Sequence, residues 1–155
     1  MLRRVRFVLL CAVGLLLCGC EPHPKTLKEL IELEQQHYVR ESFGEERYEC
    51  FTNDDLDEFK RDKVTDAIVN RLKDSKDFAR IILELKAKPE GEQRSLLLAA
   101  RRTYQPTWSQ LGRISPEGQT FAGQEAQGLI SSAIADLAEQ KLSSPVEELR
   151  KAAEQ

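Results

Sequence analysis

The chain has 155 residues, 41% apolar and 32% charged, with a formal net charge of −3. That composition fits one small globular domain. It argues against nucleic acid as a partner, because polyanions reward clustered Lys and Arg.

The first twenty residues differ in kind from the rest. Arg3, Arg4 and Arg6 form a basic start, and residues 7–17 are apolar apart from Gly14. A positive n-region, a short apolar h-region and a small-residue end describe an export signal. The apolar run falls short of the about 20 residues that a membrane-spanning helix needs. It closes on Leu17-Cys18-Gly19-Cys20, which resembles the lipobox of bacterial lipoproteins: an aliphatic residue, a small residue, Gly or Ala, then Cys. Cys18 departs from the Ala, Ser or Thr more usual at its place. The resemblance implies cleavage before Cys20, a diacylglycerol on its sulfur and an acyl chain on its new amine. It therefore implies a protein anchored in the bacterial cell envelope and facing the periplasm. Two or more acyl chains hold a protein stably on a membrane, where one does so only marginally. Asp after the cysteine is associated with inner-membrane retention; Glu21 stands there instead, which favours the outer membrane. The resemblance covers this segment alone.

The expected organisation is a signal peptide over 1–19, a lipidated cysteine and proline-containing tether over 20–25, and a single helical domain over 26–155. Loss of Arg3, Arg4 and Arg6 with the signal takes the net charge from −3 to −6 over residues 20–155. Cys11 and Cys18 leave with the signal and Cys20 is acylated, so Cys50 is the one thiol left and an intramolecular disulfide is excluded in the mature domain. Cys50 stands near Tyr48 and beside Phe51. It reads as a buried thiol, with an intermolecular disulfide or a reactive thiol as alternatives.

Glu21-Pro22-His23-Pro24 forms a stiff, extended spacer. Thr26 and Glu29 have the spacing of a capping box, and Leu27, Leu30, Ile31, Glu34 and Tyr38 recur at helical intervals, predicting a helix over 26–41. Residues 42–53 are ambiguous, with Gly44 as an interruption and a brief extended segment possible around Tyr48, Cys50 and Phe51. Asn53 then caps a helix to about residue 73, with Asp54, Asp55, Asp57 and Glu58 at the positive end of its dipole. Its apolar face is Leu56, Phe59, Val64, Ile68 and Leu72. Ser75 caps the next helix, which buries Phe78, Ile81, Ile82 and Leu85. Pro89 and Gly91 break the chain before a helix carrying Leu96, Leu97, Ala100 and Tyr104.

Pro106, Gly112, Pro116 and Gly118 punctuate a long irregular loop near 105–119, and long loops are often functional. Thr120 caps a helix to about 142, facing inward with Ala122, Ala126, Leu129, Ile130, Ala133, Ile134 and Leu137. Gly123, Gly128 and the alanines would let neighbouring backbones approach. Ser144-Pro145 opens a short last helix, Pro145 at its favoured first position, and residues 149–155 form a polar, fraying tail. The fold class is all-α: a small bundle of five or six helices.

Chemistry-bearing patterns are sparse. His23, His37 and Cys50 are the nitrogen and sulfur ligand candidates of the mature chain, without the pairing a structural zinc needs. Glu34 and His37 match Glu-x-x-His, but di-iron bundles need that motif on two helices. Cys50 with His37 is the one cysteine–histidine option near in sequence. Glu41-Ser42 is the pair found in lytic transglycosylases, but the cleft motifs of that family are missing. The acidic pair Asp54-Asp55 is explained by helix capping, and no phosphate loop or dinucleotide fingerprint occurs. An enzyme is not expected, nor a metal or small-molecule cofactor beyond the lipid on Cys20.

Binding is the expected role. Trp108, the single tryptophan, lies in the long loop with Leu111 and Ile114, and tryptophan is enriched at interface hot spots. Arg101 and Arg102, with Arg94 earlier on the same helix, form a basic patch for an acidic partner or a solvated helix face. The expected function is a lipid-anchored periplasmic interaction module, either a pilotin-like accessory of an envelope machine or an immunity protein against a periplasmic toxin. The alternative is an enzyme, or an inhibitor of one, acting on the cell wall.

Overall fold

The computed structural model describes residues 23–37, 51–102 and 121–155. These residues form seven helices and no strand. In chain order they are α1 (Leu27–Gln36), α2 (Asn53–Arg61), α3 (Val64–Leu72), α4 (Lys76–Lys86), α5 (Glu90–Arg101), α6 (Phe121–Leu142) and α7 (Val146–Glu154). The protein is an all-α helical bundle, as its periodicity predicts. The irregular segment 105–119 and the ambiguous stretch 42–50 lie outside the described residues.

The helix starts are set by local hydrogen bonds. The Thr26 hydroxyl accepts from the Glu29 N–H at 3.2 Å, while the Glu29 carboxylate accepts from the Lys25 N–H at 2.8 Å, one residue further out than a standard capping box. At α2 the cap is Thr52, not Asn53. The Thr52 hydroxyl accepts from the Asp55 N–H, and the Asp55 carboxylate accepts in return from the Thr52 N–H at 2.9 Å. Asp54 and Asp55 then occupy the first turn, where orphan N–H groups and the dipole favour negative charge. Ser75 caps α4 through the Phe78 N–H. Pro145 is the N-cap residue of α7 rather than its first helical residue, and Pro89 has the same place on α5. Gly91 lies inside the first turn of α5 and does not break it.

The helix expected over 53–73 is two helices. Asp62 ends α2, and Lys63 adopts a left-handed conformation (φ 52°, ψ 45°) before α3 begins. The reason lies in the phase of the apolar residues. At about 100° per residue, a straight helix turns about 900° from position 59 to position 68, which places the two on opposite sides. Phe59 is 1% exposed and Ile68 0%. Only a reset of helical phase between them lets both face the core. The left-handed turn at Lys63 supplies it, at a cost of about 1–2 kcal/mol for a residue with a Cβ.

Helix α6 is the axis of the bundle. It packs against α1, α2, α3, α4 and α5, while α7 lies along α4. Ala126, Ile130, Ile134, Ala135, Leu137 and Ala138 are all buried on it. The buried surface is therefore wider than the single inward face expected, as it must be for a helix with neighbours on several sides. Its alanines provide the close contacts. Gly128 does not: a methyl group there would meet nothing within 4 Å. The ammonium of Lys86 donates to the carbonyls of Leu142 and Ser144, at 2.6 Å each, and so caps the C-terminal end of α6 where the dipole is negative. The segment expected to fray is helical to Glu154, with Leu149 buried.

One layer of this core is polar. The Gln35 side chain, fully buried on α1, donates to the Gln127 carbonyl at 3.1 Å and to the Ser131 hydroxyl at 2.9 Å; that hydroxyl donates to the Gln127 carbonyl. The side-chain amide of Gln127 is also fully buried, and among the described residues neither its nitrogen nor its oxygen has a partner. An unsatisfied buried amide costs about 1–3 kcal/mol. Gln127→Met keeps the length and removes the polar atoms. It is expected to raise stability by about 1–2 kcal/mol in urea titration. A loss of stability would show that the amide is paired.

Candidate interaction site

Three concavities flank the point where the described chain begins, one of them a hollow of about 260 Å³ bordered by His23, Pro24, Glu29, Glu32, Leu33 and Gln36. The segment leading into α1 is fastened to the bundle there: Pro24 is buried, and the His23 ring nitrogen Nδ1 lies 3.1 Å from the Asp77 carboxylate at the start of α4. Asp77 also receives the Arg80 guanidinium, one helical turn along.

The first concavity, about 380 Å³, is bordered by His23, Pro24, Leu30, His37, Arg71 and Asp77. Its floor carries the Glu34 carboxylate, which accepts from Arg71 and thereby joins α1 to α3. Glu34 is buried while Arg71 is about half-exposed, and burial holds the Arg71 guanidinium below its ordinary pKa. The Glu-x-x-His pattern therefore places its glutamate in an ion pair between helices. Among the described residues no group of three or more His, Cys, Asp or Glu side chains gathers as metal ligands would. His37 ends α1, and Cys50, the other half of the cysteine–histidine pair, lies outside the described residues.

The second concavity is an apolar groove of about 270 Å³ between the start of α1, the last turns of α4 and the second half of α5. Leu27, Ile81, Leu85, Leu96 and Ala100 form its walls, with Lys25, Lys28, Glu84 and Lys88 among its lining. Leu96 is 38% exposed at the wall of this groove. Helical periodicity alone puts Leu96 on the buried face of its helix. The signal against that placement is the run Leu96-Leu97-Leu98, since three consecutive positions on a helix span about 200° and cannot share one buried stripe.

The residues singled out for partner binding separate into two groups. Trp108, Leu111 and Ile114 lie outside the described residues, as does Cys20. Arg101 bridges α5 to α6 through Asp136 at 2.7 Å and Glu139 at 2.6 Å. Those hydrogen bonds, Asp136 first and Glu139 second, hold its pKa above the ordinary guanidinium value. Arg94 is paired within α5 to Glu90. Arg102 is exposed at the C-cap of α5, with no ion pair among the described residues. The basic cluster is thus not one patch: Arg101 is committed to helix–helix contact, and Arg102 is the cation it leaves in solvent.

Compared with protein-family models, with curated proteins and with solved structures, the chain matches none of them. No helix among the described residues is long and apolar enough to cross a membrane.

Proposed function

We propose that this chain is a lipid-anchored protein of the bacterial cell envelope, held on the periplasmic face of a membrane by acyl chains on Cys20, and that its helical bundle binds another envelope protein. The outer membrane is the preferred site, from Glu21. The observation that carries the reading is Leu17-Cys18-Gly19-Cys20 behind a basic start and an apolar run. A pilotin-like accessory and an immunity protein both fit this reading. The binding surface proposed for the partner is the segment carrying Trp108, Leu111 and Ile114, together with the exposed Arg102 at its edge.

The anchor is tested by mass spectrometry of the N-terminal peptide from bacteria expressing the full chain and fed an alkyne-tagged fatty acid. The expected peptide begins at residue 20 and carries a thioether-linked diacylglycerol, and Cys20→Ala abolishes the tag and leaves an uncut precursor. An unmodified thiol at residue 20 in the exported form would overturn the reading. The partner is sought by cross-linking in intact envelopes, comparing the native chain with Trp108→Ala. One stoichiometric protein lost with Trp108 is the expected result, and an unchanged cross-link pattern removes the assignment of that surface.

A further inference from the structure

We infer that the apolar groove between α1, α4 and α5 is the face that the anchored domain lays on the phospholipid bilayer. This rests on the proposed acylation of Cys20. Reach sets the first constraint. Three residues separate Cys20 from Pro24, a span of at most about 14 Å at 3.3–3.6 Å per residue. Pro24 is buried, so the tether gains no slack from the folded side. Whatever surface adjoins residues 23–28 must then lie at the membrane.

Three surfaces adjoin that segment, and their chemistry differs: the hollow bordered by His23, Pro24, Glu29, Glu32, Leu33 and Gln36 carries two carboxylates, which anionic headgroups repel. The cleft on one side holds the charged groups of Glu34, Arg71 and Asp77, which lose hydration against lipid. The groove on the other side has apolar walls and an exposed Leu96. Its charged lining is Lys25, Lys28 and Lys88 against Glu84, three positive groups to one negative, within a mature chain whose net charge falls from −3 to −6 once Arg3, Arg4 and Arg6 are cleaved away. Apolar surface rimmed by lysines is the chemistry of an interfacial site: the stems cover apolar area and the ammonium groups reach the headgroups. Lys28 also meets Glu32, one turn along α1, and Lys88 meets Glu92 in the first turn of α5, but both ammonium groups are solvent-exposed and such pairs readily exchange with solvent and headgroup phosphates. The occupant is therefore a lipid surface.

The test uses the full acylated protein reconstituted into phosphatidylethanolamine/phosphatidylglycerol vesicles that contain lipids brominated on the upper acyl chain. In a Trp108→Phe background, one tryptophan is introduced at Leu96→Trp or at Leu98→Trp. The second is a more exposed site on the same helix, turned about 200° away from the first, so stronger quenching at residue 96 cannot come from exposure alone. Flotation with the vesicles reports the anchor separately from the groove. The expected result is flotation of both proteins, with quenching of the residue-96 tryptophan at least threefold stronger than that of the residue-98 tryptophan. Flotation with equal quenching at the two sites, or with none at residue 96, overturns the groove assignment and leaves the anchor standing. Failure to float overturns both.

A footprint on the unsubstituted protein tests the same face without any variant. A water-soluble amine reagent is expected to label Lys25, Lys28 and Lys88 several-fold more slowly on vesicles than Lys60 and Lys63, which lie by the opposite end of α6, where Lys60 meets Glu125. Uniform labelling overturns the assignment.

Discussion

Ile134→Ala is expected to cost about 3–4 kcal/mol of folding stability, because it removes a fully buried side chain and leaves a cavity that cannot collapse. Ile134 is 0% exposed on α6, the helix packed against five others. A helix with a neighbour on one side can shift to fill a void. One held from several sides cannot, so the loss belongs in the upper part of the range for such truncations. Urea denaturation followed by circular dichroism should show an earlier midpoint with an unchanged slope. Leu98→Ala, at a side chain 56% exposed on α5, serves as the comparison and should stay within about 0.5 kcal/mol of the native protein. Equal losses at the two positions would mean that α6 is not the axis of the bundle.

Arg71→Met is expected to cost about 2 kcal/mol, since it leaves the Glu34 carboxylate buried without its cation. Deleting one partner of a fully buried pair costs more; the half-exposed guanidinium of Arg71 limits the effect, because water already screens one side of the pair. The second arm of the experiment is decisive. In the double variant Arg71→Met with Glu34→Leu, no buried charge remains, and stability should return to within about 1 kcal/mol of the native protein. Non-additivity of that size, in a double-mutant cycle read by thermal unfolding, identifies the pair as a joint between α1 and α3. Additive losses would show that each side chain acts through its own packing.

Much of this architecture is legible in the residues. The start of α4 and the C-terminal end of α6, the caps at Thr26 and Ser75, and the buried positions Leu30, Phe78, Ile82, Ile130 and Ile134 follow from helical periodicity and from the hydrogen-bonding needs of helix starts. Where sequence and structure part, the causes are specific. Thr52 is hard to pick as a cap because Asn53 is also a good one, and only the return bond from Asp55 decides between them. The break at Lys63 shows in the spacing only at the step from Phe59 to Val64, five positions or about 140° out of phase, and the three- and four-residue spacings on either side mask it. The second half of the last helix looks like a tail because a single leucine, Leu149, carries the helix's buried contact, and one apolar residue gives no period to detect. The candidate site is less legible than the fold. Arg101 looks like half of an exposed pair of cations because its partners, Asp136 and Glu139, lie 35 and 38 positions away. The groove is invisible for a similar reason, since its walls come from three helices that only the packing brings together.

The helix at the centre of the bundle is also nearly the last to be synthesised. Among the described residues, contacts between the five helices that precede α6 are sparse beside those they make together with residues 121–142. A chain emerging amino end first would have little to fold upon until that stretch appears. For a polypeptide that must be threaded through a narrow translocation pore, as the proposed export route requires, such an order of arrival keeps the leading portion pliable during transit and defers compaction to the far side.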